Sequence, residues 1–543
     1  MRINKLNASL CHKNLQHLVG ITMISSTQGQ TSVALATLAV GLLVMVLVKI
    51  LKKTLGYHST RLSLPFPPGP PTRLFVGNAL DFPSSNAHRV YTDWGKKYQS
   101  DILHASAFGS HVVIINNFKI ADELLEKRAQ LYNDRPDFPV RKIIDWDYVV
   151  ALMRHGDWWI KHRKAAHQLF YASADKYLPI QVQEVHAFLR GLLRSPEAHD
   201  KHSKMLSISI PLLICFGYKP DSTEDRIIEI SDQVAIVGLT MVQSLINIFP
   251  VLRYVPSWVP GATSRKLAEQ VNEWSQEMKR IPINRVKADC TEGKARSSVM
   301  ADFYGKYGTE TCPKEEETIL KNISFTAYTG AADTTISATG SLLYLMATHP
   351  EIQKKAQDEL DAVLGYASRL PEFTDRPALP YIEAIYREIL RMYPPLPLSL
   401  PHSLIDDDVY EGYFLPKGTT VIGNVWAMCH HERVFPEPFA FKPERFMDKN
   451  GRLNDDRRIL AYGFGRRVCV GKAVASNTMW LNIASFLACF DIGPTIDKDG
   501  KNIEIDDAYI EYGAALHKKP FKCLITPRSV QHSTLIEATA DSI

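Results

Sequence analysis

A ten-residue segment near the C-terminus limits what this chain can build more than any other part of it. The segment reads Tyr462-Gly-Phe-Gly-Arg-Arg-Val-Cys-Val-Gly471, and Gly465 and Gly471 leave the backbone bare where a flat, bulky group could approach the sulfur of Cys469. A helix expected from Lys472 to Phe486 would aim backbone N–H groups at that sulfur, which stabilises a thiolate and lowers the pKa of the thiol. This layout is typical of an iron–thiolate site.

A second feature of the segment is Arg467, two residues before Cys469, which is placed to pair with a carboxylate such as a haem propionate. The alternative is that Cys469 is an ordinary buried cysteine that packs as a small hydrophobic side chain. The chain contains its own comparison at Cys215, which is followed by glycine at Gly217 but has no arginine two residues before it. Only Cys469 has the complete set of neighbours.

The Cys469 segment resembles the cysteine loop of the cytochrome P-450 family, Phe-x-x-Gly-x-Arg-x-Cys-x-Gly. Tyr462 stands where the family has phenylalanine, and a buried phenol needs a hydrogen-bond partner. The resemblance spans about residues 65–528 and implies a mainly α fold with a small β region, formed by a single catalytic domain. It further implies that haem b lies between a long central helix and the helix after the loop, with Cys469 as the axial ligand of the iron. The loop residues that the resemblance assigns to cofactor binding are Gly465, Arg467 and Gly471.

The expected central helix, Glu315 to Met346, contains the segment Gly330-Ala-Ala-Asp-Thr-Thr335. Small side chains leave room beside a bound group, while Asp333 and Thr334 can relay protons. We expect the Thr334 hydroxyl to bond the carbonyl four residues earlier. The alternative is an ordinary helix with one solvent-facing Asp-Thr step, but the family's oxygen-activation motif has the same acid and alcohol, so the resemblance makes both residues catalytic. Ala331 replaces a usual glycine and could narrow the pocket.

Two acid–base pairs with the same spacing differ in their context. Glu388 and Arg391 share one helical face and precede a proline-rich helix end, whereas Glu277 and Arg280 lie in a charged amphipathic stretch typical of a solvated surface. Arg445 follows in the segment Pro-Glu-Arg-Phe. In the family this order implies a structural triad of Glu388, Arg391 and Arg445 that supports the haem loop without taking part in the chemistry.

Upstream, Trp159 and Arg163 fit the family's Trp-x-x-x-Arg helix, whose two side chains contact a haem propionate. Trp158 offers a second register, but the residue four positions after it is His162 rather than arginine. A group of basic residues would then lie near the cysteine side and could bind an acidic electron donor, although an exposed helix face would carry similar lysines. These residues are Lys161, Lys164, Arg466 and Lys472.

Composition excludes some functions. The 543 residues are 45% hydrophobic and 22% charged with a net charge of +5, which is ordinary for a globular protein and too weak to indicate nucleic-acid binding. The eight cysteines include no closely spaced pair, so they do not predict a disulfide framework.

Helical periodicity dominates from Lys119 to about Pro394. Beyond it, residue spacing predicts a hairpin from Val409 to Val421 and a final strand pair between Tyr509 and Pro527.

Residues 33–51 are apolar apart from Lys49 and are long enough to cross a bilayer as a helix. Basic residues follow the segment, so the positive-inside rule places the downstream chain in the cytosol. We expect a single-pass protein of the endoplasmic reticulum, the rival interpretation being a cleaved signal peptide. Residues 1–32 would be an extension with a glycosylation acceptor at Asn7, or the product of a wrongly assigned start codon. Residues 52–72 would be a basic and proline-rich linker, 73–529 the catalytic domain and 530–543 a loose polar tail.

The resemblance predicts a haem-thiolate monooxygenase that inserts one oxygen atom of O2 into an apolar or aromatic substrate. Because the chain has no glycine-rich dinucleotide loop, electrons would come from NADPH through a separate NADPH-cytochrome P-450 reductase, with cytochrome b5 as an additional donor. The alternatives are a family member that rearranges or dehydrates its substrate without O2, and a haem sensor or carrier. Residues 143–153, 396–400 and 513–516 are apolar and are expected to line the pocket. The wider pattern is similar to fungal members that act on secondary metabolites and foreign aromatics, but the sequence does not specify the substrate.

Overall fold

The computed structural model describes residues 64–241, 244–456 and 458–540. The predicted extension, anchor and first part of the linker lie in residues 1–63, outside the described residues. Within the described ranges, no helix combines the length and apolar character needed to cross a bilayer.

Helices dominate the described part of the chain, as the sequence predicts. The α-helices are α1 (Ala87–Tyr98), α2 (Phe118–Ala121), α3 (Ala129–Tyr132), α4 (Asp157–His167), α5 (Leu178–Arg194), α6 (His199–Phe216), α7 (Arg226–Thr240), α8 (Leu245–Ile248), α9 (Thr263–Thr291), α10 (Val299–Tyr307), α11 (Lys314–Thr348), α12 (Pro350–Leu364), α13 (Pro380–Met392), α14 (Val425–Cys429), α15 (Lys472–Cys489) and α16 (Val530–Ala538).

The strands are short and form four small sheets among the described residues. They are β1 (Ile102–Ala107), β2 (Ser110–Ile115), β3 (His402–Ser403), β4 (Asp408–Tyr410), β5 (Tyr413–Leu415), β6 (Thr420–Gly423), β7 (Phe490–Pro494), β8 (Tyr509–Tyr512), β9 (Ala515–Lys518) and β10 (Cys523–Pro527). The largest sheet has the order β1-β2-β6-β3, and the other three are the pairs β4-β5, β8-β9 and β7-β10.

The central helix α11 is 35 residues long, about 52 Å, and extends the predicted helix slightly at both ends. Three glutamates in its first turn are stabilised by the positive end of the helix dipole, and Pro350 at the start of α12 prevents its continuation. The main apolar core surrounds this helix and includes Tyr328 of α11 with Trp480 and Phe486 of α15, all fully buried. The two helices therefore share one core.

The strand predictions near the C-terminal half were partly wrong. The hairpin expected from Val409 to Val421 exists as β4-β5, but β6 leaves it and pairs with β2 and β3 in the largest sheet. The pair expected between Tyr509 and Pro527 is β8-β9, whereas β10 pairs with β7. Periodicity identified strands here but could not identify their partners, since pairing depends on tertiary contacts.

The proline-rich segment is not a free spacer in its described part. The ring of Phe66 stacks on His104 of β1 with the ring centroids 4.4 Å apart, and the His104 N–H donates to the carbonyl of Pro68 at 2.9 Å. A Cβ on Gly69 would lie 1.9 Å from the His104 carbonyl oxygen, so only glycine fits this close approach. The packed domain therefore begins before residue 73.

The end of the chain also differs from the prediction of a loose polar tail. Residues Val530–Ala538 form helix α16, capped at its N-terminus by the Ser529 hydroxyl, which accepts a hydrogen bond from the backbone N–H of His532. His532 and Ile536, one turn apart, are buried. The polar composition concealed these two inward-facing positions.

Glu388 lies at the centre of a buried ion cluster. Arg391 donates to its carboxylate through Nε and Nη2 at 2.6 and 2.9 Å, and Arg445 donates through Nε at 2.9 Å. The other guanidinium donors of Arg391 and Arg445 bind backbone carbonyls of residues 429–440. The cluster therefore joins helix α13 to the segment that leads into the Cys469 loop. Glu277 instead pairs with the exposed Arg226.

Replacing Glu388 with glutamine should lower the free energy of unfolding by about 3–5 kcal/mol, because two buried arginines lose their carboxylate. Denaturant unfolding followed by circular dichroism measures the loss. The matched control is Glu277→Gln, whose exposed ion pair should leave Tm nearly unchanged. Equal destabilisation by the two substitutions would contradict the assigned role of the cluster.

Candidate functional site

A cavity of about 320 Å³ lies between the middle of α11 and the Cys469 loop at the start of α15. Its walls are mainly apolar away from the loop. The apolar lining residues include Val150, Ile210, Ile214, Ile323, Ala327 and Leu396. Of the three predicted pocket segments, 143–153 and 396–400 contribute to this lining, whereas 513–516 supplies none of the described lining residues. The cavity can hold a flat group beside the sulfur with apolar space above it.

Cys469 opens directly into this cavity. The backbone N–H of Cys469 donates to the carbonyl of Tyr462 at 2.9 Å, which closes the loop around the sulfur. Burial raises the pKa of the Cys469 thiol, although the backbone N–H of Gly471 and the Arg163 guanidinium act to lower it. The expected lowering of the pKa by the helix start is thus outweighed by burial, and a bound metal ion is the group that would remove this proton.

The two glycines predicted to bind the cofactor, Gly465 and Gly471, differ in how closely they are packed. A Cβ on Gly471 would lie 3.9 Å from the Cys469 sulfur, an ordinary van der Waals contact, so packing alone does not require glycine there. Gly465 has φ +57°, and a Cβ on it would lie 2.1 Å from the carbonyl oxygen of Leu125 in the turn Asp122–Lys127. Gly465 therefore fixes how closely the loop packs on the neighbouring turn.

Arg467 carries a buried charge that has no carboxylate at ion-pair distance among the described residues; Asp134 acts on it only from farther away and is itself paired with Arg154. Nε of Arg467 donates to the carbonyl of Asn133 at 3.0 Å, and its guanidinium carbon lies 3.9 Å from the centre of the Trp159 ring. Its two terminal nitrogens are buried and find no hydrogen-bond partner among the described residues. Burial lowers the pKa of Arg467 to about 10. An anionic group in the cavity would satisfy both nitrogens.

Two further residues of this wall were missed by the sequence analysis. Arg135 is buried and binds three backbone carbonyls, and burial together with the nearby Arg467 charge lowers the pKa of Arg135 to about 9. His402 donates through Nδ1 to the carbonyl of Tyr132 at 2.8 Å, and burial, reinforced by the Arg135 charge, lowers the pKa of His402 to about 3. Neither residue stands in a local motif that the sequence analysis used.

Trp159 and Arg163 lie one turn apart on α4 and join the same cluster. Trp159 is buried under Arg467, whereas Trp158 is exposed and packs edge-on against His162. Arg163 donates through Nη2 to the carbonyl of Val468 at 2.6 Å, beside the Cys469 sulfur. The register chosen from the sequence thus places both side chains at the cavity.

Tyr462 finds the partner that its buried phenol requires. Its hydroxyl lies 2.8 Å from the hydroxyl of Tyr386 on α13, and burial raises the pKa of Tyr462 well above its usual value. The ammonium group of Lys472 lies 5.6 Å from the centre of the Tyr462 ring. The tyrosine therefore keeps the ring at this position and adds a bond to the scaffold helix.

On the opposite wall, Thr334 and Ala331 of α11 line the cavity. The Thr334 hydroxyl donates to the carbonyl of Gly330 at 3.0 Å, the predicted bond. Asp333 is not among the described lining residues; its carboxylate lies 2.8 Å from Nε2 of His517 on β9. The acid and the alcohol are adjacent in sequence but face different surroundings.

The four basic residues predicted to bind an electron donor differ in exposure and in whether they already form an ion pair. Lys161, Lys164 and Arg466 are exposed, and Lys472 is partly buried. Lys161 is already engaged in an ion pair with Glu315. The exposed positive charge on this face therefore comes mainly from Lys164 and Arg466.

Cys215, the comparison cysteine, also lines the cavity, on the side of α6. It is completely buried in a helix, and burial raises the pKa of its thiol to about 12. No backbone turn or glycine pair surrounds its sulfur as at Cys469. Cys215 is therefore expected to remain a neutral thiol in the wall.

Comparisons with known proteins agree with this geometry. The sequence profile of the family described as cytochrome P-450 matches residues 67–525. The chain is 37% identical to cytochrome P-450 monooxygenase COX2 of Coprinopsis cinerea over 492 residues, covering 88% of this chain and 92% of that protein. It is 34% identical to a cytochrome P-450 monooxygenase of Armillaria gallica, covering 91% and 97% of the two chains. It is 35% identical to cytochrome P-450 monooxygenase 208 of Postia placenta, covering 87% and 92%.

Cys469→Ser should abolish the carbon monoxide difference spectrum of thiolate-bound haem, because a serine oxygen, even where it binds the iron, lacks the soft, strongly electron-donating sulfur on which that spectrum depends. The spectrum of the reduced protein under carbon monoxide measures this directly. Cys215→Ser is the control and should keep the parent spectrum. A thiolate spectrum that survives in Cys469→Ser and disappears in Cys215→Ser would reverse the assignment.

Arg467→Ala should speed loss of haem by about ten-fold, because the cavity loses the guanidinium that faces it. Transfer of haem to an apo-globin acceptor, followed by absorbance, gives the rate. Arg466→Ala removes a neighbouring, exposed charge and should release haem at the parent rate. The same rate in both variants would show that Arg467 does not hold the cofactor.

Proposed function

Since the chain belongs to the cytochrome P-450 family, whose members are haem-thiolate monooxygenases, we propose that it inserts one oxygen atom of O2 into a small apolar or aromatic organic substrate. The observation that carries the proposal is the cavity itself, in which apolar walls from α6 and α11 lie above an open thiol. The relatives described above are all named monooxygenases, which favours this activity over a rearranging enzyme or a haem carrier.

The residues around the cavity fit a haem. Cys469 would hold the haem iron through its sulfur, and the haem propionates would supply an anion to the buried Arg467 nitrogens. Arg135 and His402 lie in the same wall and would extend the propionate site, while Trp159 holds the Arg467 guanidinium in place. When bound there, haem would supply the binding and reduction of O2, with the Cys469 thiolate as an electron-donating ligand.

Thr334 and Asp333 manage protons in this proposal. The Thr334 hydroxyl lines the cavity and uses its proton to bond the Gly330 carbonyl, so its oxygen can accept a hydrogen bond from a water or a reacting group. This back-bond also weakens the helix locally and makes room for water. Asp333, the residue before Thr334, connects the helix to titratable groups outside the cavity.

The apolar walls select the substrate. Apart from the residues assigned to the cofactor and to O2, the lining is mainly aliphatic, so binding would be driven by burial of apolar surface. Thr326 has its hydroxyl occupied by backbone groups of Tyr148 and Val150, which leaves it less available for a polar substrate. A greasy or aromatic molecule matches this surface.

A redox partner is required by the family, and we assign that role to a separate NADPH-cytochrome P-450 reductase, with cytochrome b5 as an additional donor. Lys164 and Arg466 are exposed on the cysteine side and would attract an acidic partner. The same proposal places the protein in the endoplasmic reticulum membrane with its catalytic domain in the cytosol, on the basis of residues 33–51. Exposed large apolar side chains support a membrane-facing surface; they include Leu74, Phe75, Leu80, Tyr254 and Trp258.

The test is a screen of purified, haem-loaded protein against a chemically broad panel. We expect spin-state shifts with apolar or aromatic compounds, followed by substrate-dependent NADPH and O2 consumption when the reductase is added. Binding restricted to charged compounds, or a thiolate spectrum with no O2 consumption on the whole panel, would contradict the proposal.

Thr334→Ala should leave the carbon monoxide spectrum unchanged and divert electrons to hydrogen peroxide, because the cavity loses the hydroxyl that orders proton donors. Peroxide formed per NADPH consumed is the measurement, with an expected rise of several-fold, on the order of ten-fold at most. Thr329→Ala is the matched control, since that hydroxyl makes the same kind of bond to the Phe325 carbonyl at 2.9 Å on the same helix. Parent-like coupling in Thr334→Ala would remove Thr334 from the relay.

A further inference from the structure

His517 on strand β9 is tied to the acid of the central helix. Its Nε2 lies 2.8 Å from Oδ1 of Asp333, and its side chain is 10% exposed while that of Asp333 is 25% exposed. Nε2 makes no aligned hydrogen bond among the described residues, so the contact is one of ion-pair distance, and a small rotation of the imidazole or of the carboxylate would bring the N–H onto Oδ1. The motif around Asp333 marks this acid in the sequence, but no local pattern indicates His517 as its partner.

Strand β9 is docked on α11 by a second bond from the same helical face. Ser337, one turn after Asp333, donates through its hydroxyl to the carbonyl of Leu516 at 2.5 Å. Leu516 precedes His517, and side chains alternate along a strand, so fixing the Leu516 backbone directs the imidazole toward Asp333. The contact is therefore set by the fold and does not depend on a flexible surface side chain.

Asp333 and Thr334 face different surroundings because consecutive helical residues are rotated by about 100°. Thr334 lines the cavity, whereas the carboxylate of Asp333 is held against β9 with part of its surface open to solvent. Protons for the reaction must come from solvent and reach the cavity. The pair Asp333–His517 stands between these two regions.

We propose that His517 is a positioning residue that holds the Asp333 carboxylate and reloads it with protons during turnover. The inference rests on the proposed function, which makes Asp333 part of the proton relay. In each cycle an imidazolium would pass the Nε2 proton to Oδ1 of Asp333, leaving a neutral imidazole and a neutral carboxylic acid. The acid side chain would then deliver that proton toward Thr334, and solvent would reprotonate His517.

Other charged and titratable groups near the pair come from three neighbouring elements. Asp232 of α7 interacts electrostatically with Asp333, and burial, with the Asp333 charge in addition, raises the pKa of Asp232, which also forms an ion pair with Lys204 of α6. Tyr512 of β8 packs edge-on against His517 with ring centroids 5.2 Å apart. Imidazole is the side chain that ordinarily changes its charge between about pH 5 and pH 8, and His517 is the imidazole in contact with Asp333. We therefore expect the coupling of NADPH to product to fall as the pH rises through this range.

The test compares His517→Gln and His517→Ala in the haem-loaded enzyme with reductase, NADPH and a substrate from the panel above. Glutamine can donate a hydrogen bond to Asp333 but cannot transfer a proton as imidazolium does. In the His517→Gln variant we expect the coupling of NADPH consumption to product to be independent of pH between about pH 6 and pH 9, and to equal the value that the parent has at high pH. His517→Ala should also lose the position of Asp333 and raise peroxide per product by about ten-fold.

His88→Gln is the control, because His88 is a buried histidine 3.3 Å from the carboxylate of Glu511, and neither residue has a hydrogen bond or ion pair with α11 among the described residues. The His88→Gln variant should keep the parent's pH profile, which separates the effect of His517 on coupling from any pH dependence of the reductase. Tm and the carbon monoxide spectrum establish that each variant is folded. A His517→Gln profile parallel to that of the parent would overturn the inference.

Turnover driven by hydrogen peroxide, which brings its own protons, separates the inference from the proposed function. His517→Ala should recover at least half of the parent's rate under this regime, and a loss equal to that seen with NADPH would mean that His517 acts only on structure. A parent enzyme without product under either regime would overturn the proposed function itself.

Discussion

A buried positive charge with no carboxylate at ion-pair distance among the described residues is the constraint around which this structure is arranged. Arg467 and Arg135 lie at one cavity wall with lowered pKa values, and the terminal nitrogens of Arg467 are unpartnered. Leaving such charges unpaired costs several kcal/mol per ion, so an anionic group bound in the cavity would stabilise this wall. The thiol of Cys469 opens to the same cavity, and one haem would satisfy both demands.

The rest of the fold fixes the position of the arginine wall relative to the Cys469 sulfur. Glu388 binds Arg391 and Arg445 in a buried cluster and so fixes the chain that leads into the cysteine loop. Gly465 allows that loop to approach the turn Asp122–Lys127, and the bond between Tyr462 and Tyr386 joins the loop to helix α13. On the far side α11 supplies Thr334 to the cavity and Asp333 to β9. The cysteine side of the cavity is therefore held by a buried ion cluster and by the bond between two tyrosines, whereas the α11 side connects with titratable groups near solvent.

The parts of the site that the sequence predicts are those in which chemistry and spacing lie close together in the chain. The Cys469 loop, the pair Glu388–Arg391 and the step Asp333–Thr334 each occupy a few consecutive residues. Helix periodicity also predicted the first and last residues of α11 and α15 to within a few positions. Arg135, His402 and His517 could not be predicted in this way, because each reaches the site through sheet pairing or helix packing that brings distant segments together. The same reason accounts for the packed proline-rich segment and for helix α16, where contacts of a few inward-facing side chains outweigh a polar or proline-rich composition.

The central claim is that one haem satisfies both the thiol of Cys469 and the buried arginines. Iron K-edge X-ray absorption of the haem-loaded protein tests it most directly, because the first coordination shell of the metal reports the element that binds it. The account predicts one sulfur atom in that shell, together with the four nitrogens of the porphyrin. A shell that contains only nitrogen and oxygen would contradict it.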